Sequence, residues 1–465
     1  MIGPVSFGRC VRGIVLGLVA GAAAPTWADE PAEPPAMGGD AEPDAEPESA
    51  AAALDGKIKA AIEKGVAFLR AQQSPSGTWG NIGTHVKTYA GGSEVYQHPL
   101  GPTAMAVYAM LKCEVPVSDG AVKRGLEWLQ KSGVQTNTSS YEVSATLLAA
   151  TATADPFKKR KDSRAAGDKV RLTGPLRKWA ADLQVALLQR RSPAAWRYAK
   201  NCPDPGGTQD VSATQFALLA LAAADRCGIP TDRGVWADAA AYVQTLQEPD
   251  GPEEERAVRP RARKPAAAPK PDPDAGRYAK PKPEEAPPKD RARGFHYSIH
   301  ATVKEEYDKR VTGARTACGV GALALARFAL DPGARPPPKG KKFDAPAIDQ
   351  AIYDGLAWLS VHWHPWTNAN GNNKPVFYLY SVERAMDLVG AERLGTHLWY
   401  AEMVQELLPK QESNGSWDSK DPQVGDRNPV VDTAFALLFL RRAAAGGVPI
   451  PIVTSDDDEP PADNR

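Results

Sequence analysis

The densest group of reactive side chains lies in residues 362–386, HWHPWTNANGNNKPVFYLYSVERAM. It gathers His, Trp, Asn, Tyr, Glu and Arg around the start of an apolar helix. Glu383 and Arg384 interrupt that helix, and buried charges are costly unless they pair or face a wet cavity. Two readings stay open: a structural ion pair, or a ligand pocket lined by Trp366, Tyr378, Tyr380, Glu383 and Arg384. Such a pocket would suit a sugar, a peptide or an isoprenoid-like chain. Asp210 and Asp432 are the candidate catalytic acids, each alone at the start of an Ala-rich apolar run. A lone carboxylate at the positive end of a helix is held ionised, which makes it a poor proton donor. His362 and His364 form a His-x-His pair, which is thin support for a metal; no metal and no cofactor is expected.

The elements that must position these groups recur along the chain. Ile58, Ile62, Val66 and Leu69 fall at helical spacing, and Ser74, Pro75 and Gly77 end that helix. A second, apolar helix follows roughly from Thr103 to Leu111. Lys64-Gly65, Phe68 and Leu69 find counterparts in Arg124-Gly125, Trp128 and Leu129. Further pairs run through WAADLQVALLQRR and DVSATQFALLALAAA, through AAAYVQTLQEPDG and TACGVGALALARF, through DGLAWLSVHW and FYLYSVERAMDLVG, and up to VVDTAFALLFLRR. In each unit the first helix is amphipathic, as in an outer ring, and the second is Ala-rich and apolar nearly all round, as in an inner ring. Six such units predict an all-α fold of twelve helices in two concentric rings, with a linear helical solenoid as the competing architecture. Pro102-Thr103, Val143-Ser144, Asp210 to Ser212, Arg315-Thr316, Tyr380-Ser381 and Val431 to Thr433 open the inner helices. Helix capping is the plain role for those Ser, Thr and Asp side chains.

The turn after the first helix places Gln73, Gly77 and Trp79 behind Lys64, Gly65, Phe68 and Leu69. It resembles the Gln/Trp motif of squalene-hopene cyclases and the related prenyltransferase repeats. Gln247 and Gly251, then Gln411, Gly415 and Trp417, are weaker copies. The resemblance spans Lys57 to about Ala445 and implies an (α/α)6 toroid of six helix-pair repeats, with the inner-helix N-termini facing the pocket. A Gln amide can bond the peptide groups of a turn while the Trp ring packs beside it, tying one outer helix to the next unit. The chemistry of the family does not carry over with the fold. The acidic D-x-D-D run of the cyclases is missing: Pro429 and Val431 stand before Asp432-Thr433-Ala434. The Asp, Cys and His that hold zinc in protein prenyltransferases match only at Cys318, with Thr316 and Asp432 in the other two places.

Bulk properties narrow the rest. A formal net charge of +0 gives no field to recruit nucleic acid. Arg9 and Arg12 before an apolar run from Gly13 to Ala24 read as a signal peptide over residues 1–28, too short to span a bilayer comfortably. Export to the periplasm or cell envelope is expected, with membrane contact only through an uncleaved signal. A disordered spacer is expected over 29–54, the toroid over 55–446, a disordered Pro/Lys/Glu-rich insertion over 252–293 and an acidic disordered tail over 447–465. Cys202 and Cys227 flank one helix, which should hold them about 25 Å apart at about 1.5 Å per residue, so no structural disulfide is expected. The leading functional expectation is a monomeric protein of the envelope that binds a partner or an apolar, glycan or peptide ligand. An isoprenoid cyclase or prenyltransferase-like enzyme with relocated acids is the alternative, and a carbohydrate-active enzyme a third.

Overall fold

The computed structural model describes residues 47–79, 84–89, 92–97, 100–135, 138–154, 172–197, 209–258, 288–298, 309–331, 344–371, 374–419 and 428–442. The expected signal peptide, the acidic tail and Cys202 lie outside the described residues. The chain divides into residues 1–50 and 51–465, and the second unit carries the fold.

Twelve α-helices occur among the described residues. The outer ones are α1 (Pro47–Gln72), α3 (Gly120–Ser132), α5 (Gly174–Leu188), α7 (Arg233–Thr245), α9 (Ala345–Val361) and α11 (Trp399–Leu407). The inner ones are α2 (Leu100–Lys112), α4 (Ser140–Ala152), α6 (Val211–Arg226), α8 (Gly313–Ala329), α10 (Pro375–Val389) and α12 (Pro429–Leu440). Helix α2 packs on α4, α4 on α6, α6 on α8, α8 on α10, α10 on α12, and α12 returns to α2. The inner helices therefore close a six-membered ring, and the fold is the expected (α/α)6 toroid. Helix α1 begins at Pro47, inside the stretch expected as spacer.

Local sequence explains both rings. On α3 only Ala121, Val122, Gly125, Leu126 and Leu129 are buried, one stripe of an amphipathic helix. On α8 every residue from Gly313 to Ala326 is buried, because Ala and Gly side chains let neighbours close on all sides. Caps set the helix starts. Asp119 accepts from Ala121 and Val122 at α3, Ser139 and Glu142 form a capping box at α4, and Thr312 accepts from Arg315 at α8. Gly390 ends α10 in the left-handed conformation.

The Gln/Trp turns rivet the rings together. Gln73 Nε2 donates to Ala121 O at 2.8 Å, Gln247 Nε2 to Ala351 O at 2.8 Å, and Gln411 Nε2 to Ala61 O at 2.9 Å. Each bond runs from the end of one outer helix to a carbonyl of the next outer helix, and the last one ties repeat six back to α1. The indole N–H of Trp79, Trp196 and Trp417 donates to the carbonyl of Leu69, Leu187 and Leu407. The backbone N–H of Trp79, Trp196, Phe295 and Trp417 donates to Oγ1 of Thr103, Thr214, Thr316 and Thr433. Those inner-helix threonines clasp the turn, a role beyond the capping expected of them. Gly65, Gly125 and Gly355 on the outer helices each seat the ring of the preceding turn, Trp417, Trp79 and Phe295 in that order. A Cβ at Gly125 would lie 2.7 Å from Trp79, and one at Gly355 3.0 Å from Phe295.

Two small hairpin-like pairs decorate the toroid. Strands β1 (Thr84–Tyr89) and β2 (Gly92–Gln97) pair antiparallel, an element that the sequence reading did not include. Strands β3 (Glu253–Glu255) and β4 (Lys289–Arg291) pair antiparallel inside the segment expected to be disordered over 252–293. That expectation is corrected at both ends. Asp290 is buried and pairs with Arg256 at 2.8 Å, and Arg293 pairs with Asp354 of α9 at 2.5 Å. Ala257, Val258 and Ala292 are buried beside them. These contacts supply the apolar burial and charge pairing that composition alone did not reveal. Residues 259–287 lie outside the described residues.

Candidate functional site

A cleft opens where α10 and α12 begin. On one side, α9 ends at Val361 and the chain turns through Trp366 and Asn368 into α10. His364 Nδ1 accepts from the backbone N–H of Trp366 at 3.1 Å and of Thr367 at 2.8 Å, which fixes the turn. Asn368 Oδ1 caps α8 by accepting from Ala314 N at 2.8 Å. On the other side, α11 runs through Lys410 into the Gln411–Trp417 turn and Ser419. Between them lies a cavity of about 510 Å³ whose lining includes Trp366, Asn368, Lys410, Glu412, Asp418 and Ser419. The Lys410 ammonium stands 4.4 Å from the centroid of the Trp366 ring.

Asp432 sits behind this lining. Its Oδ2 accepts from Ser419 N at 3.0 Å and from Ser419 Oγ at 2.7 Å. Burial pushes its carboxyl above the usual range; the Ser419 bonds oppose this, the charge of Asp418 adds to it, and Lys374 opposes it. Two parts of the sequence reading are thereby corrected. Asp432 does have an acidic neighbour, Asp418, brought in by the turn rather than by adjacency. The positive end of its helix also does not draw its pKa down: burial is the largest influence, and the net shift is upward. Asp210 behaves likewise. It is fully buried, caps α6 through Ala213 N at 2.7 Å, and accepts from Ser212 Oγ at 3.0 Å. Burial lifts it to about 6 against those bonds and the charge of Arg197.

Of the five side chains expected to line a ligand pocket, only Trp366 reaches the cleft. Tyr378, Tyr380, Glu383 and Arg384 are interior. Tyr378 donates its hydroxyl to His364 O at 3.1 Å and so braces the turn that carries Trp366. Arg384 stacks over the Tyr380 ring at 4.3 Å, and its Nε lies 3.1 Å from Glu383 Oε2. Burial works against the guanidinium charge, and Tyr380, Glu383 and Tyr108 together outweigh it. The two charges face each other inside the ring, away from the cleft that holds Trp366.

Aromatic rings meet across the toroid axis beside these residues. Phe216 on α6 and Phe435 on α12, opposed members of the inner ring, meet at 6.3 Å between centroids. Tyr380 lies 5.7 Å from Phe216 and 4.7 Å from Phe435, while Tyr141 on α4 meets Phe216 at 5.3 Å. Sequence reasoning missed Lys410, Glu412, Asp418 and Ser419. The one available signal was the position of Asp418 and Ser419 directly after the Trp of a Gln/Trp turn.

The closed inner ring and the repeated Gln/Trp rivets define an (α/α)6 toroid. No family model matches the chain, and no curated protein is similar to it. Similar solved structures include a type II terpene cyclase from Scytonema, at 14% identity and a TM-score of 0.41, covering 85% of this chain and 99% of that one. An α-1,6-mannanase of Salegentibacter sp. is 12% identical with a TM-score of 0.46, covering 83% and 99%. An unsaturated glucuronyl hydrolase specific for heparin is 11% identical with a TM-score of 0.49, covering 84% and 97%. Likenesses this remote bear on the fold alone, and the ring contacts establish the fold independently.

Proposed function

We propose that this chain is an exported toroid that binds a polar ligand in the cleft at the start of α10 and α12, and that it serves in the cell envelope. One observation carries the reading. The cleft gathers an indole ring, an ammonium, carboxylates and an amide around about 510 Å³, while the adjacent axis is bridged by Phe216 and Phe435. Concave sites of this size with a few convergent polar groups are the usual seats of small ligands. The alternative is an isoprenoid cyclase or prenyltransferase-like enzyme using Asp210 or Asp432. The upward direction of both carboxyls leans toward it, because a proton donor needs a raised pKa, but at about 6 Asp210 is still mostly ionised at neutral pH. The bridged axis weighs against it, because a folded polyprene needs an apolar hollow. Export rests on Arg9, Arg12 and the run from Gly13 to Ala24.

The test is a mass-spectrometric screen of lipids, glycans and peptides retained by the purified protein, run beside Trp366→Leu. A polar compound retained by the parent and lost from the variant supports the reading. Retention of a polyprene, or turnover of one to cyclic products, overturns it.

A further inference from the structure

We infer that the cleft is shaped for an alkylammonium group, and that the chain's own Lys410 occupies that seat in the free protein. The inference rests on the cleft being a ligand site and names the chemical class it takes. The Lys410 ammonium lies 4.4 Å from the Trp366 ring centroid, within the range at which a ring quadrupole attracts a cation. The acids Glu412 and Asp418 share the lining, and Asp432 stands behind Ser419, with Lys374 as the nearby opposing charge. An aromatic face edged by carboxylates selects a cation over a neutral or anionic group of equal size.

Glu406 sets where the Lys410 ammonium sits. Its Nζ donates to Glu406 Oε2 at 2.7 Å and to Glu406 O at 2.8 Å. Both bonds are made in the same pose that sets Nζ over the indole, so an entering ammonium must displace Lys410 from the ring and can take over the Glu406 acceptors. The Lys410 side chain is 40% exposed, so no buried packing resists that displacement. A primary ammonium entering the vacated seat brings three donors, which carboxylates and the Asn368 amide oxygen accept. Its alkyl stem would run along Pro375 and Val376, the apolar part of the lining. The cavity is larger than one ammonium head, so the seat accommodates either a free amine or a lysine side chain on a peptide.

Calorimetric titration of the full chain with n-butylammonium and with 1-butanol tests this, using the parent, Lys410→Met and Trp366→Leu, each checked for its helical circular dichroism. The ammonium should bind the parent and 1-butanol should not. Lys410→Met, which empties the seat, should bind the amine about tenfold more tightly, and Trp366→Leu about tenfold more weakly. Nα-acetyl-lysine amide is the second arm. Binding much tighter than butylammonium assigns the seat to a peptide, and equal binding assigns it to a free amine. Unchanged or weakened binding in Lys410→Met overturns the inference, as does equal affinity for the alcohol. If a neutral retained compound binds in a Trp366-dependent way and the amine does not compete, the cation inference falls while the cleft stands. If no probe binds any variant and nothing is retained, both fall.

Discussion

Replacing Trp79 by Ala tests the rivet between the first and second repeats. Trp79 is 1% exposed, its indole N–H donates to Leu69 O at 2.5 Å, and its ring rests on Gly125 of α3. Truncating a buried aromatic ring costs about 3–5 kcal/mol, and a buried carbonyl left without its donor falls inside that range or adds to it. The glycine supplies an internal check. A Cβ at position 125 would lie 2.7 Å from Trp79 Cζ3 and 2.6 Å from Val107, so Gly125→Ala alone should destabilise. In the Trp79→Ala background half of that clash disappears. The two changes should therefore couple favourably, by about 1 kcal/mol or more in a double-mutant cycle. Equilibrium unfolding in guanidinium, followed by circular dichroism, measures all four variants. A loss under about 1 kcal/mol for Trp79→Ala, or strictly additive effects, would refute the rivet.

Three further outcomes are expected. Asp210 is buried with a folded pKa of about 6 against about 3.9 unfolded, so the folded state holds its proton more tightly. Stability from this group is greatest below about pH 4 and declines as pH rises to about 6, by about 3 kcal/mol in all. Asp210→Asn, which keeps the cap, should match the parent at pH 4 and exceed it at pH 7.5; a gap that does not widen with pH excludes this. Replacing residues 259–287 by a short Gly/Ser linker should leave the melting temperature within a few degrees, whereas removing 252–293 should lower it by more, through loss of the Arg256–Asp290 and Arg293–Asp354 pairs. Incubation with squalene and shorter polyprenes, analysed by gas chromatography, should give no cyclic product, and Asp432→Asn should leave ligand retention intact. Cyclic product that vanishes in that variant would make Asp432 the acid.

The fold was legible because periodicity records burial directly. Val122, Leu126 and Leu129 mark an outer stripe, and the Ala and Gly of α8 mark a helix enclosed on all sides. The Gln/Trp turns were legible too, although Gly125 was read as part of its own unit when it seats Trp79 of the one before. The site was less legible, for a physical reason. Trp366 and Lys410 are distant in sequence and meet only because two repeats are neighbours in the ring. Asp418 reaches Asp432 through a turn, so no local acidic run announces the pair. Tyr380, Glu383 and Arg384 looked like a pocket because charge in an apolar helix is ambiguous: pairing and wetting both relieve its cost, and sequence does not say which.

The bridged axis follows from the same small residues that close the ring. Neighbouring helices in contact stand about 8–10 Å apart, so opposed helices of a regular six-membered ring stand about 16–20 Å apart. With Cα atoms about 2.3 Å from each axis, about 11–15 Å separates facing backbones. Alanines at both ends of that gap would leave it hollow. Phe216 and Phe435 reach into it from opposite sides and meet at 6.3 Å, with Tyr380 and Tyr141 closing in from the flanks. Beside them the Arg384 guanidinium lies over Tyr380 and next to Glu383. The cleft lined by Trp366 and Lys410 lies at the seam between two repeats. There the lining is set by turn residues, which can change without disturbing either ring.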